Sequence, residues 1–166
     1  SGGDAFLLVN NDQRLHVFDL QTGQPRFEGR DLGQVTDAGV FFSDGNHIAT
    51  AVFSAELKVW DARSGEVTAE FQNADRSWNN IASHPKDPHV LAIAGGAHPD
   101  LENGFVALWD WEEDRMLTPE PIVAPGQVNH LAFSPDGNLI AATTANKHLS
   151  VWDAVKGRLL LQKRGY

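Results

Sequence analysis

The side chains best equipped to recognise something fall into three groups. Trp78-Asn79-Asn80 sets a large aromatic beside two amides, and Asn129-His130 repeats the polar half further along. An aromatic desolvated among hydrogen-bonding groups is how protein surfaces anchor a partner; a residue such as Trp78 can equally wedge between packed elements. Between these groups runs Gly95-Gly96-Ala97-His98-Pro99-Asp100-Leu101-Glu102-Asn103-Gly104, in which His98, Asp100 and Glu102 alternate and could in principle ligate a divalent cation. The oxygen donors are few, Pro99 stiffens the run and no calcium-type Asp/Asn ladder is present, so no metal is assigned. The third group is Trp111 beside Glu112-Glu113-Asp114, a solvated acidic turn or a docking edge for a basic partner.

Nothing here assembles a reaction. The sequence lacks a Gly-x-Ser-x-Gly elbow, a phosphate-cradling glycine loop and a His-Glu-x-x-His pair. It contains no cysteine, so disulfides, thiolate metal sites and a cysteine nucleophile are excluded. The seven histidines are scattered, mostly beside turn residues. A net charge of −9 over 166 residues argues against affinity for phosphates or anionic lipid, and the one basic cluster, Gln162-Lys163-Arg164-Gly165-Tyr166, is too small for nucleic acid. No apolar run approaches the ~18 residues of a membrane-spanning helix, and Ser1-Gly2-Gly3 opens without signal-peptide character. With 42 % hydrophobic and 21 % charged residues the chain is globular in composition and long enough for one domain.

The elements that position these groups announce themselves as a repeat. An apolar-aromatic-Asp triplet recurs at Val17-Phe18-Asp19, Val59-Trp60-Asp61, Leu108-Trp109-Asp110 and Val151-Trp152-Asp153, with the aspartates 42, 49 and 43 residues apart. Ahead of the later three lie Phe42-Ser43-Asp44-Gly45, Ala82-Ser83-His84-Pro85 and Phe133-Ser134-Pro135-Asp136-Gly137. Behind the first, second and fourth lie Gln21-Thr22-Gly23, Arg63-Ser64-Gly65 and Val155-Lys156-Gly157, with Glu112-Glu113-Asp114 the glycine-free version. Short β-branched and aromatic runs between these landmarks predict strands. In the second unit they are Ala38–Phe42, His47–Phe53, Glu56–Trp60 and Val67–Phe71, with a two-residue reversal at Ser54-Ala55. Such short connections make antiparallel meanders.

Four-stranded units repeated every ~40–45 residues are expected to stack around an axis. On Trp60-Asp61, Trp109-Asp110, Trp152-Asp153, the variant Phe18-Asp19 and the turn at 134–137, the sequence resembles the WD-repeat β-propeller family from about Phe6 to Leu161. The resemblance implies an all-β fold of four-stranded antiparallel blades. It assigns structural roles to Asp19, Trp60, Asp61, Trp109, Asp110, Trp152 and Asp153, and to Asp12, the one family-type acid in a turn between the second and third strands. At the matching positions stand Ser54, Asn103 and Asn146. The family's Gly-His pairs are missing, so its polar bridge, through a third-strand Ser/Thr to the Trp, is mostly incomplete. Rigidity falls to packing of Phe41, Phe53, Trp60, Phe133 and Trp152.

Units at about 4–29, 34–72, 77–118 and 127–163 make one partial propeller spanning 1–166. The first, with Phe6–Val9, Leu15–Phe18 and Pro25–Phe27, lacks its innermost strand. Rings of this family close with about seven blades, so four units with open flanks read as part of a larger ring, completed in cis or by a second chain or copy; a self-closed four-bladed ring is the alternative. The start of each innermost strand and the turn between the second and third strands share a rim. That geometry groups Trp78, Asn79, Asn80, His98, Asp100, Glu102, Asn129 and His130 as a partner surface, with Trp111 outside it. The expected function is a cytoplasmic, cofactor-free, non-enzymatic interaction scaffold or regulatory module. The alternatives are a purely architectural half-ring and a propeller enzyme or small-ligand binder using the central channel.

Overall fold

The computed structural model describes residues 4–9, 13–33, 36–52, 56–72, 76–97, 103–118 and 120–165. Every strand is antiparallel to its neighbours and all four sheets are sequential meanders, as connections of a few residues dictate. The first sheet comprises β1 (Ala5–Val9), β2 (Arg14–Asp19) and β3 (Arg30–Asp31), and the second β4 (Thr36–Phe41), β5 (His47–Val52), β6 (Glu56–Asp61) and β7 (Val67–Gln72). The third holds β8 (Arg76–Ser83), β9 (Val90–Ala97), β10 (Gly104–Asp110), β11 (Arg115–Met116) and β12 (Ile122–Ala124). The fourth holds β13 (Val128–Phe133), β14 (Leu139–Thr144), β15 (His148–Asp153) and β16 (Leu159–Arg164).

One register recurs: Asp19, Asp61, Asp110 and Asp153 lie opposite Ala5, His47, Val90 and Leu139, the first residue of the preceding strand in each sheet. Since a one-residue slip would turn every side chain to the other face, this shared register makes the sheets superimposable units with two defined faces.

Three details depart from the sequence expectation. The outer strand of the first sheet is not Pro25–Phe27. Pro25, which has no N–H to donate, makes only a bridge to Phe18, and pairing resumes at Arg30–Asp31. In the third sheet the outer strand is split, with β11 and β12 both pairing β10 on either side of a segment containing Pro119 and Pro121; this sheet runs to Ala124, beyond residue 118. The second-to-third strand connection there is shorter than 95–104, because Gly95 pairs with Phe105 and Gly96 with Gly104 inside the ladder. Phe53 and the Ser54-Ala55 reversal lie outside the described residues.

The sheets stack face to face, with β4 against β1, β8 against β4, and β13 against β8. Each contact encloses a core. Leu15, Val17, Ile48, Val52 and Trp60 fill the first; Ala49, Ala51, Leu57, Val59, Leu91, Ile93 and Trp109 the second; Ala92, Ala94, Val106, Leu108, Ile140 and Trp152 the third. In each, one sheet offers the aromatic of its apolar-aromatic-Asp triplet to the sheet before it. Among the described residues the clusters are these three, and none joins the fourth sheet to the first. The arc is therefore open, not a self-closed four-sheet ring.

Candidate functional site

The triplet aspartates are structural in all four sheets. Asp19 Oδ1 accepts hydrogen bonds from the backbone N–H of Gln21 and Thr22 and from the Thr22 hydroxyl, and Asp61 Oδ1 does the same with Arg63, Ser64 and the Ser64 hydroxyl. Asp153 accepts from Val155 and Lys156, and Asp110 from Glu113. Each carboxylate thus nucleates its own turn. The N–H of Thr22 and of Ser64, first among the donors, hold the Asp19 and Asp61 carboxyls below the usual range.

Four residues after each aspartate the backbone turns left-handed, with φ of +68, +66 and +63° at Gly23, Gly65 and Gly157. The glycine-free turn solves this with Asp114 at φ +46°, whose Oδ1 accepts the indole N–H of Trp109 at 3.2 Å.

Among the described residues the polar bridge to the Trp survives in one sheet, and from a different strand than expected. The indole N–H of Trp60 donates to Thr50 Oγ1 at 2.9 Å, both buried, and Thr50 lies on the second strand, β5, not the third. Cross-strand pairing puts Ile48 opposite Trp60 and Thr50 beyond it on the same face, within reach of the indole. Ala142 occupies the Thr50 register position in the fourth sheet, as expected of an incomplete bridge. Packing carries the load: Trp60 is buried, Trp152 is buried, and Phe41 and Phe133 are half-buried against the cores. Asp12 lies outside the described residues.

The expected partner rim changes character. Trp78 is 1 % exposed and packs edge-on to Phe105 at 5.1 Å and tilted against Phe71 at 5.8 Å. It is a wedge in the core between the second and third sheets, not a surface anchor. Its position in an innermost strand, where both faces meet neighbouring sheets, draws it inward. Of the two roles the sequence left open for Trp78, anchor or wedge, its burial fits the wedge. Trp111 is also half-buried: its indole N–H donates to the Pro88 carbonyl, and its ring meets Phe42, His47 and His89 across the second seam. Flanking it are the His47–Asp44 and His89–Glu112 pairs, at 2.6 and 2.7 Å. Burial pushes the Asp44 carboxyl up, but the N–H groups of Asn46 and His47 outweigh it and hold the group below its ordinary value.

What the structure does gather on the rim is polar. The three innermost strands after the first sheet each carry a bulge at the same place, where Asp37, Asn79 and Asn129 are the unpaired residues. A bulge breaks the ladder and re-aims a side chain. The Asn80 side-chain amide donates to the Asn129 carbonyl at 3.0 Å, tying the third sheet to the fourth, while Asn129 and His130 are exposed. The Asn79 carbonyl oxygen is buried without a hydrogen-bond partner among the described residues.

Around them Thr144 Oγ1 donates to the Pro125 carbonyl, and the Gly126 carbonyl comes so close to Gly104 that a Cβ there would collide with it. This packing and the hydrogen bonds were not legible from spacing, although Gly104 and Gly126 were visible as glycines. His98, Asp100 and Glu102 lie outside the described residues. Among the described residues no three His, Asp or Glu side chains come together as a metal site, and no helix is long and apolar enough to cross a membrane.

Stacked four-stranded meanders with one register and an aromatic-Asp corner define propeller blades. Residues 122–153, from β12 through β15, match the family model described as WD domain, G-beta repeat. The chain is 23 % identical over 89 % of its length to a transcriptional corepressor, LEUNIG_HOMOLOG, of Arabidopsis thaliana, and 23 % over 93 % to WD repeat-containing protein 25 of Mus musculus. It is 25 % identical over 87 % of its length to the target of rapamycin complex subunit LST8 of Bos taurus. It spans 18, 29 and 43 % of those relatives, respectively. Residues 122–153 thus carry a WD repeat, and the chain as a whole resembles WD-repeat proteins, with the stacked sheets of a partial propeller.

Proposed function

We propose that this chain is a non-enzymatic scaffold that binds protein through the rim where its innermost strands begin. The observation that carries the reading is the repeated bulge at Asp37, Asn79 and Asn129. Three sheets stiffened by buried cores carry this bulge at the same place, beside exposed Asn129 and His130. Groups held on packed strands lose little freedom on binding, so a few contacts suffice for useful affinity.

The acidic charge favours a protein partner over nucleic acid or membrane, and cytoplasm is the compartment we assign. Two relatives are named as a corepressor and as a complex subunit, roles of the kind this reading gives the chain.

The test is affinity capture with mass-spectrometric identification, comparing the wild type with Asn129→Lys/His130→Glu on the rim and Lys86→Glu on the opposite one. The rim variant should lose captured protein while its melt is unchanged, and Lys86→Glu should not. Equal capture by all three would remove this rim from the argument.

A further inference from the structure

Charge is unevenly placed along the chain. Residues 122–166, which hold the fourth sheet, carry five Lys and Arg against two Asp, whereas residues 1–121 carry eight against twenty acids. On the first three sheets cations are committed to partners: Arg26 to Asp4, Lys58 to Glu56 and Glu70, Arg115 to Glu113, and Arg30 to the carbonyls of Ser64 and Gly65. On the fourth sheet Lys147, Lys163 and Arg164 are exposed and make no ion pair among the described residues. They lie together, because Arg164 is opposite His148 and the Gly165 N–H donates to the Lys147 carbonyl.

The strand that carries two of them is an open edge. Among the described residues β16 pairs with β15 alone, and all six of its residues are exposed. The outer strands β3 and β11 have two residues each and β12, after Pro121, has three. β7 matches β16 in length, but its one charged residue is Glu70, already paired with Lys58. Leu159, opposite Trp152 on the face turned to the third sheet, is still 47 % exposed, and Leu160 beside it is 46 % exposed. A further sheet of the repeat would stack on a face, as the three internal contacts do, and stacking of that kind leaves an outer edge uncovered. Backbone groups alternate in direction along a strand. Since the Gly165 N–H points to the β15 side, the N–H and C=O of Gln162 and Arg164 point away from it.

We propose that the outer edge of β16 binds an acidic, extended segment of a protein partner, which adds to the fourth sheet as a further strand. Its main chain pairs with Gln162 and Arg164, its carboxylates meet Lys147, Lys163 and Arg164, and its apolar side chains cover Leu159 and Leu160. In such strand addition the main chain supplies affinity and the side chains supply choice. Exposed ion pairs are individually weak, so the cations select the partner more than they hold it. A polypeptide answers both the unpaired edge and the cations, whereas the phosphates of nucleic acid or lipid answer only the cations.

The test is fluorescence anisotropy with a short labelled probe peptide of alternating valine and threonine that ends in glutamates, beside a counterpart that ends in lysines. The chain should bind the glutamate probe, more weakly as salt rises, and prefer it over the lysine probe by about tenfold. Lys163→Glu/Arg164→Glu should reverse that preference. Gln162→Pro removes an N–H that the β15 ladder does not use, and should weaken the glutamate probe roughly threefold to tenfold with melting by circular dichroism unchanged. In the wild type, hydrogen exchange at the Gln162 and Arg164 amides should slow when the probe binds.

The proposal does not rest on the rim reading, and Asn129→Lys/His130→Glu should bind the probe as the wild type does; loss there would move the site to the rim and overturn the edge. No binding of the glutamate probe, equal binding of both probes, full affinity in Gln162→Pro, or amides left unprotected in the complex would each overturn it. So would tighter binding of polyuridylate or of phosphatidylserine vesicles than of the probe.

Discussion

Replacing Trp78 by Ala separates a core wedge from a surface anchor. The ring is 1 % exposed, with Phe105 edge-on at 5.1 Å and Phe71 at 5.8 Å, and Phe71 in turn meets Trp109 at 5.4 Å. Truncation therefore opens a cavity inside an aromatic cluster that joins the second and third sheets. Removing a buried Trp costs about 3–5 kcal/mol, transfer and cavity contributions together. In a chain of this length each kcal/mol lowers Tm by roughly 2–4 °C, giving a drop of about 6–20 °C. Urea unfolding followed by circular dichroism measures it without relying on the fluorophore removed. Trp78→Phe keeps a ring in the cluster and should lose much less. A Trp78→Ala chain within about 0.5 kcal/mol of the wild type, the range of ordinary surface changes, would refute the wedge and return Trp78 to the rim.

Further outcomes follow from other sites. Thr50→Val keeps the side-chain shape but strands the buried Trp60 indole N–H, and should cost about 1–3 kcal/mol in the same assay; a neutral result would mean the bond at 2.9 Å contributes nothing. Gly65→Ala puts a Cβ at 2.7 Å from the Phe27 ring and 2.9 Å from Arg30 Nε at φ +66°, and should destabilise by about 1–3 kcal/mol, whereas Gly23→Ala, with open space around it, should show only the backbone strain. Acid should weaken the fold through its turn carboxylates. The Ser134 hydroxyl and the N–H of Asn138 lower Asp136 to about 2, and Asp19 and Asp61 are lowered too. Folded-state values below the unfolded ~3.9 contribute stability that is present above that value and lost as pH falls through it toward about 2. The melting temperature of Asp136→Asn should fall less steeply over that window than the wild type's; parallel curves would discount the Asp136 turn.

The local code was sufficient for the blades. The triplet aspartates, the glycines four residues later and the alternating β-branched runs act over a few residues, through turn hydrogen bonds and the two-residue period of a strand, so strands, turns and repeat length were legible in order. The exceptions are local too: prolines at 25 and 121 stand where ladders stop that a hydrophobic pattern alone would extend.

The site was less legible. Asn79 and Asn129 stood out as polar residues near strand starts, but the bulge they share with Asp37 exists only once β4, β8 and β13 are paired with their neighbours. Trp78 and Trp111 carried no mark that separates an anchor from a wedge, because burial depends on which sheet arrives from far along the chain. The residue types and their spacing thus determined the blade and its internal register. Tertiary structure alone decided that Trp78 is a wedge between the second and third sheets and that Thr50 rather than a third-strand residue meets the Trp60 indole. Hydrogen bonds within a turn are set by neighbours in sequence, whereas the burial of a face is set by stacking between sheets some 40 residues apart.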